Sequence, residues 1–408
     1  MPTYQYSARD RSGKSITATM EATSQSEVAR NLREKGYFIT KVSKEDKTGL
    51  KADIKMPAFM DQPSFRDITL FSRQFATVIN AGLPIVQSLA ILQQQAEKAG
   101  MRNALKKIRE DLETGQTLSI SLAKFPRIFN DLYVYLVKAG EASGNLDGIL
   151  ERIASYQEKQ AALRGKLKSA LTYPMVVLVI ALGVTYFLLA TIVPQFAGIL
   201  EGLGGDLPFI TKVLMAISDF LRYQWWLLLL IIVGSVVSIG LFYRRTSQGR
   251  HIIDRLLLTL PVVGPLQQKA AIASFSNTFG LLLKSGVNVI ESIDITKGTA
   301  GNIIVEDVLS EAKQAVQRGE PLSETLKEAP KVFPPLVSSM VAIGEETGAL
   351  DTMLEKIASF YEREVDEAIE SLTAALEPMM IVFLGGIVGF IVAGMFLPMF
   401  AIIGTLSG

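Results

Sequence analysis

Three long apolar runs interrupt an otherwise amphipathic pattern along this chain. They cover residues 171–193, 225–243 and 378–400, and none contains a charged side chain. At 1.5 Å per residue, a helix of this length crosses a hydrocarbon core of roughly 30 Å. Buried helices of soluble proteins are usually interrupted by polar residues over such a length, so the pattern predicts three transmembrane helices.

The basic residues that flank these runs predict their direction. The segment 194–224 contains only Lys212 and Arg222, whereas basic residues are dense before the first run and after the second: Arg164, Lys166, Lys168, Arg244, Arg245, Arg250 and Arg255. We therefore expect segments 1–170 and 244–377 in the cytoplasm, and 194–224 and the tail 401–408 outside. No apolar run follows the N-terminus, so we expect no cleaved signal peptide and a cytoplasmic N-terminus.

The amphipathic pattern is written twice, 204 residues apart and without a gap. The shared positions of the first copy are Phe71, Phe75, Gly82, Gly115, Leu118, Ser119, Pro126 and Phe129. The octet GEASGNLD also recurs as GEETGALD, so that Gly140, Glu141, Gly144, Leu146 and Asp147 correspond to Gly344, Glu345, Gly348, Leu350 and Asp351. Both copies run from a polar part into an apolar run. The unpaired run 225–243 then returns the chain, as expected of parallel repeats.

The polar part of each copy predicts a bundle of about six helices, at residues 67–170 and 271–377. Apolar residues recur there at helical spacing, with breaks near Gly82 and Gly286. The last helix of each bundle is expected to begin at the repeated octet and to continue into the membrane. A cytoplasmic connector at 244–270 completes the predicted order.

The first 46 residues have a different pattern, which predicts a small α+β domain. Ser24 and Glu27 form a capping-box pattern that opens a helix ending near Gly36. The predicted strands cover 4–8, 16–21 and 37–42, with a turn after the first. Residues 47–66 contain prolines and mixed charge, which is typical of a linker. The fold class is thus a mainly α, polytopic membrane protein with two duplicated helical bundles and a small N-terminal α+β domain.

Composition narrows the possible chemistry. The 41 basic and 40 acidic residues give a net charge of +1, which argues against nucleic-acid binding. There is no cysteine, and His251 is the single histidine, so thiol and most histidine chemistry are excluded. The segment Ser12–Ser15 resembles the end of a phosphate loop, but Ala8 stands where the leading glycine is needed. We therefore expect no cofactor, no metal site and no catalytic activity.

The repeated octet is the strongest candidate for a functional site. Gly144 and Gly348 are expected to form a turn, and the aspartates that follow lie in the first turn of the next helix, where its dipole favours them. Glu141 and Glu345 instead lie near the end of a helix, where the dipole disfavours an acid. These two glutamates are candidates for cross-domain pairing, cation binding or contact with a partner.

A second candidate feature lies in the third apolar run. Gly385, Gly389 and Ala393 recur every four residues. Small residues at this spacing let helices approach closely in lipid, so we expect a packing face, either within the chain or between subunits.

Two gapless copies of a helical module carrying G-E-x-[ST]-G-x-L-D, each followed by a span near a proline, resemble the type II secretion F-domain family. The resemblance covers the chain from Phe71 onward, and the opening YQYSARDRSGK also looks like that of the family. It implies a non-enzymatic inner-membrane platform of type IV pilus assembly or type II secretion. The implied partners are hexameric assembly and retraction ATPases, pilins or pseudopilins, other inner-membrane assembly proteins, membrane lipid and further copies of the chain.

Three alternatives to a pilus platform stay open at this point. Nothing in the residues separates a pilus platform from a secretion platform. A small transporter is less favoured, because no predicted span carries the internal charge that marks an ion or substrate path. A membrane enzyme is disfavoured by the absence of catalytic motifs and by the single histidine.

Overall fold

Helices dominate the part of the chain that the computed structural model describes, which is residues 3–9, 15–22, 24–34, 38–44, 61–202, 208–261 and 263–406. The chain divides into two units, Met1–Asp61 and Gln62–Gly408. Each unit is built on its own core.

The first unit contains a three-stranded antiparallel sheet and one helix. Its elements are β1 (Thr3–Arg9), β2 (Ser15–Glu21), α1 (Gln25–Glu34) and β3 (Phe38–Lys44). Strand β1 is central and pairs with both others. Ser24 Oγ accepts a hydrogen bond of 3.3 Å from the Glu27 amide, as the capping pattern predicts. The predicted turn after β1 and the linker up to residue 60 lie outside the described residues.

The first copy of the repeat forms five short helices and one long one. These are α2 (Phe65–Asn80), α3 (Ile85–Gln95), α4 (Ala99–Glu113), α5 (Leu118–Ala123), α6 (Asp131–Ser143) and α7 (Leu146–Phe187). Phe71, Phe75 and Phe129 lie in the core of this bundle. The phenylalanine rings pack edge to face or stacked, with centroids 5.4 to 5.8 Å apart.

The second copy repeats this arrangement with the same 204-residue offset. Its short helices after the first begin and end 204 residues after their counterparts: α13 (Val289–Thr299), α14 (Ile303–Gln317), α15 (Leu322–Lys327) and α16 (Pro335–Thr347). Helix α12 (Val263–Lys284) extends further toward the N-terminus than α2 does. Phe275, Phe279 and Phe333 form the same buried aromatic cluster. The predicted pair of six-helix bundles is confirmed.

Two long helices leave the bundles without a break, as predicted. Helix α7 continues through a π-helical segment (Leu188–Ile192) into α8 (Val193–Gly202). Helix α17 (Leu350–Leu406) is unbroken over 57 residues. The equivalent prolines Pro174 and Pro378 lie inside these helices, near the start of each apolar run. Such prolines are tolerated in transmembrane helices when the freed backbone groups find other partners.

The described residues contain three helices long and apolar enough to cross a membrane, which confirms the predicted number of spans. The second of them in chain order, α10 (Trp225–Arg245), has no counterpart in the repeat. The predicted loop at 194–224 is largely helical, since α8 extends into it and α9 (Phe209–Tyr223) follows. The predicted connector is also helical and contains α11 (Ser247–Thr259).

Helix α9 packs onto the far ends of the two long helices. Leu214 lies in one buried cluster with Leu189, Val193 and Ile391. Thr211 Oγ1 donates a hydrogen bond of 2.7 Å to the Gly394 carbonyl, and Ser218 Oγ donates one to the Leu189 carbonyl. Leu189 lies in the π-helical segment, where the backbone hydrogen-bond pattern is altered. Helix α9 therefore ties both long helices together at this end.

Candidate functional site

The repeated octet forms the joint between each bundle and its long helix. Gly144 ends α6 with φ +71°, and Gly348 ends α16 with φ +69°. Only glycine adopts this left-handed conformation without a steric penalty. The next residue in each copy, Asn145 or Ala349, donates its amide to the carbonyl of the octet's first glycine, at 3.1 and 3.0 Å. These bonds close the ends of α6 and α16.

The first glycine of each octet allows the long helix to pack closely against the joint. Both Gly140 and Gly344 are buried. A Cβ atom at Gly140 would lie 3.1 Å from the Ile149 side chain, and one at Gly344 would lie 2.8 Å from Leu350 Cα. The second distance is to a backbone atom, which cannot move aside as a flexible side chain can. The joint of the second copy is thus the tighter of the two.

Leu146 and Leu350 begin the long helices and pack, half-buried, against the cores of their own bundles. Asp147 and Asp351 lie in the first helical turn, as predicted. Their carboxylates favour the positive end of the helix dipole. These residues and the glycines therefore set where each long helix starts and which way it leaves the bundle.

The two glutamates of the octets bind the start of a neighbouring short helix. Glu141 accepts hydrogen bonds from the amides of Leu118 (2.6 Å) and Ser119 (3.2 Å), and from Ser119 Oγ. Glu345 accepts the equivalent two amide bonds at 2.6 and 3.1 Å. Leu118 and Leu322 are the first residues of α5 and α15, whose orphan amides need acceptors. Each carboxylate is therefore placed at the favourable end of a helix other than its own.

This geometry supplies a structural reason for the glutamates that the sequence pattern did not reveal. Each glutamate pairs within its own bundle, whereas pairing across domains was one of the three roles that the pattern left open. Among the described residues, no group of three or more His, Asp or Glu side chains could hold a metal ion. Contact of the glutamates with a partner stays a prediction.

The small residues of the third span differ in how closely the rest of the chain approaches them. At Gly385 and Gly389 an added Cβ would meet nothing within 4 Å in the described chain. These two glycines therefore make no close contact within the described chain, and Ala393 is half-buried beside them. Gly394 makes the close contact instead, since its Cβ would lie 2.8 Å from Leu214 Cδ1. Packing of Gly385, Gly389 and Ala393 between subunits stays a prediction.

The sequence pattern did not predict the contact between the two copies of the repeat. Tyr156 Oη lies 3.1 Å from Thr278 Oγ1, and the Arg152 guanidinium donates to the Lys284 carbonyl at 2.8 Å. Burial raises the pKa of Tyr156, and hydrogen bonds with Thr278 and Ser274 partly oppose the shift. The phenol is therefore a neutral contact at physiological pH.

Ion pairs continue this contact along the two long helices. Lys159 Nζ lies 3.1 Å from Glu362, and Lys166 Nζ lies 2.7 Å from Asp366. These residues also line a cavity of about 500 Å³ between the copies. Differences between the two copies could have pointed to this contact, because several of its residues differ from their counterparts 204 positions away.

Comparison with known proteins agrees with this duplicated architecture. The family model described as "Type II secretion system (T2SS), protein F" matches twice, at residues 71–194 and 275–398. The model for the N-terminal domain of type II secretion system protein F matches residues 1–43.

Several curated proteins are similar to this chain over nearly its whole length. The type IV pilus assembly protein PilC of Thermus thermophilus is 56% identical over 407 residues, covering 100% of both chains. PilC of Myxococcus xanthus is 41% identical, covering 98% of this chain and 95% of its own. The type II secretion system protein F of Xanthomonas campestris is 35% identical, covering 98% of each. This duplicated, multi-pass membrane protein belongs to the type II secretion system protein F family.

Proposed function

We propose that this chain is the non-enzymatic inner-membrane platform of a type IV pilus machine. In this role it couples cytoplasmic assembly and retraction ATPases to the insertion and extraction of pilins. The high identity to pilus assembly proteins over the full length of both chains supports this function over other family roles.

The observation that carries the proposal is the continuity of α7 and α17. Each begins at a closed joint in a bundle core and runs into an apolar span without a break in helical structure. A helix that continues through Pro174 or Pro378 without ending keeps most of its backbone hydrogen bonds, so displacement of a bundle is passed to its span. The contacts between the copies add a second connection, because Lys159 and Lys166 join α7 to α17.

The proposed orientation places the N-terminal unit and both bundles in the cytoplasm, with the C-terminus outside. The bundles would then face the hexameric ATPases, and the spans would face pilins, lipid and other inner-membrane assembly proteins. Self-association of the chain could use the open face at Gly385, Gly389 and Ala393. We assign the paired octets to this mechanism as the joints that fix the direction of the long helices.

A helix-breaking substitution between bundle and span tests the mechanical role. Gly165 lies in α7 before the apolar run, and an added side chain there would meet nothing within 4 Å. Gly165→Pro removes a backbone hydrogen bond and kinks the helix, at a cost of about 3 kcal/mol or more. Gly165→Ala is the matched control, because alanine favours the helix by about 1 kcal/mol over glycine.

We expect cells with Gly165→Pro to lose surface pili while the protein still accumulates in the membrane. Cells with Gly165→Ala should keep normal pili. Electron microscopy of pili and immunoblots of membrane fractions measure both results. If cells with membrane-inserted Gly165→Pro protein kept normal pili, the result would contradict transmission of bundle movement to the span through α7.

A secretion platform is the second candidate, favoured by the similarity to type II secretion system F proteins. Deletion of the gene in the source bacterium separates the two. The pilus role requires loss of surface pili with normal levels of secreted enzymes. The converse result would assign the chain to secretion.

A further inference from the structure

Helix α11 is held to the second bundle along one face only. Arg250 pairs with Glu306 at 2.8 Å, and Asp254, which is buried, accepts a hydrogen bond of 2.8 Å from the Ile303 amide. His251 Nε2 lies 2.8 Å from Asp307 Oδ2. All three contacts are with the first turns of α14, so this face of α11 has a fixed partner.

The opposite face of α11 presents an apolar stripe. Ile252 is 59% exposed, Leu256 is 58% exposed, and Leu260, just after the helix, is 38% exposed. Residues four apart lie on one side of a helix, so the three side chains are aligned. No described part of the chain covers them. Large apolar side chains aligned in this way favour an apolar environment over water.

The position of α11 is set by the span that precedes it. Only Thr246 separates α11 from α10, and its amide donates to the Phe242 carbonyl at 3.2 Å. A Cβ atom at Gly249 would lie 2.4 Å from the same carbonyl oxygen, so the first turn of α11 rests directly on the end of the span. The Arg250 guanidinium also lies 5.9 Å from the centroid of the Tyr243 ring. The stripe thus begins where α10 leaves the hydrocarbon.

The charges on the open side of α11 are positive. Arg245, the last residue of α10, and Arg255 of α11 are exposed, whereas Asp254, the one acidic residue of α11, points into the contact with α14. An apolar stripe beside exposed arginines is the pattern of a helix that lies in the plane of a membrane surface. Phosphates of anionic lipids are the complementary ligands for such arginines.

We propose that α11 is an interfacial helix that binds the anionic lipid surface at the end of α10. Ile252, Leu256 and Leu260 enter the boundary between head groups and acyl chains, while Arg245 and Arg255 contact lipid phosphates. Because the other face of α11 binds α14, the lipid surface becomes an anchor for the second bundle.

Site-directed spin labelling of the full-length protein tests this arrangement directly. The chain contains no cysteine, so each introduced cysteine is a unique labelling site. Ile252→Cys and Leu256→Cys probe the stripe. Val236→Cys, at an exposed position in α10, is the lipid reference, and Glu311→Cys, exposed on α14, is the aqueous reference. The variants are placed in lipid nanodiscs containing phosphatidylglycerol, and accessibility to oxygen and to a water-soluble nickel chelate is measured.

We expect labels at 252 and 256 to resemble the lipid reference, with oxygen accessibility several-fold above nickel accessibility. The preference for oxygen should weaken in nanodiscs of phosphatidylcholine alone, and in a background carrying Arg245→Gln and Arg255→Gln. Nickel accessibility equal to that at 311 would overturn the proposal. Shielding from both reagents would also overturn it, because the stripe would then bind protein. Insensitivity to lipid charge would remove the role of the arginines.

Discussion

The two copies of the repeat share a scaffold but use their charges differently. In the first copy Arg73 pairs with Glu151 and Glu158 of α7, each at 2.5 Å. These bonds, chiefly that with Glu158, raise the pKa of the guanidinium. In the second copy the equivalent residue is Asn277. It donates a hydrogen bond of 2.8 Å to Glu362 but carries no charge. Glu362 thereby retains an uncompensated charge within its own bundle.

That retained charge takes part in the contact between the copies. Lys159 of the first copy pairs with Glu362, whereas Glu158, the counterpart of Glu362, is satisfied by Arg73 inside its own bundle. The divergence at this position, arginine in one copy and asparagine in the other, leaves Glu362 available for an ion pair with the other copy, whereas Glu158 is paired inside its own bundle. Unlike residues at equivalent positions let duplicated modules bind each other in one defined way.

The buried polar residues diverge in the same manner. In the first copy Ser72 Oγ donates to the Ile68 carbonyl and lies within 3.4 Å of both Tyr133 and Gln157. Burial raises the pKa of Tyr133, so its hydroxyl stays protonated. In the second copy Val337 and Tyr361 replace Tyr133 and Gln157. Ser276 Oγ, buried there, has no hydrogen-bond partner among the described residues.

The largest expected effect tests whether the two cores are equivalent. Phe75 and Phe279 are both fully buried at the same position of the repeat. Phe75→Ala and Phe279→Ala should each cost about 3–5 kcal/mol, from lost burial and the cavity left behind. The midpoint of thermal unfolding, measured for the full-length protein in detergent micelles, should fall by similar amounts. A loss confined to one variant would mean that the copies do not contribute equally to stability.

A smaller effect is expected from the two glutamates of the octets. Glu141→Ala and Glu345→Ala leave the first amides of α5 and α15 without their acceptor, and hydrogen bonds to charged groups are worth about 1.5–3 kcal/mol. Glu141 also accepts from Ser119 Oγ, so its loss should lower the thermal midpoint more. Glu→Gln variants, which keep one acceptor oxygen, should lie between.

The same glutamate variants separate a structural role from contact with a partner. In the double variant Glu141→Gln and Glu345→Gln, pili should be lost only to the degree that the protein is destabilised. Pili lost at an unchanged thermal midpoint would instead assign the glutamates to a partner. Normal pili at an unchanged midpoint would contradict any essential role for their charge.

Removal of the ion pair between the copies should have the weakest effect on stability. Lys159 and Glu362 are 56% and 33% exposed, so their ion pair should be worth no more than about 1 kcal/mol. A double-mutant cycle with Lys159→Gln and Glu362→Gln measures this coupling. In an Asn277→Arg background, Glu362 gains a charged partner in its own bundle, and the coupling should fall. A coupling that is unchanged would mean that Asn277 does not control the contact between copies.

Much of this architecture could be predicted because helical periodicity and a gapless repeat are local signals. The start of α7 and α17 at the octets, and their continuation into the spans, follow from glycine conformation and from apolar length. The hydrogen bonds of Glu141 and Glu345 could not be predicted, because their acceptor role depends on how α5 and α15 fold back against α6 and α16. Tertiary contacts of this kind leave no periodic trace in the sequence.

The contact between the copies was hidden for a related reason. Lys159 and Glu362 are 203 residues apart, and their meeting depends on how two separately folded bundles dock. Charges at exposed helical positions predict a solvated surface unless the docking is known. In the third span, Gly394 makes the close contact within the chain, whereas the packing face at Gly385, Gly389 and Ala393 stays a prediction for contact between subunits.

The unbroken helix α17 also sets the scale of motion that the molecule can produce. At 1.5 Å per residue, its 57 residues form a rod about 86 Å long. A tilt of about 5° at the joint would move the far end of such a rod sideways by about 7 Å. Because this sideways displacement grows with the length of the helix, a small tilt of a bundle would produce a much larger movement at the distal end of the span.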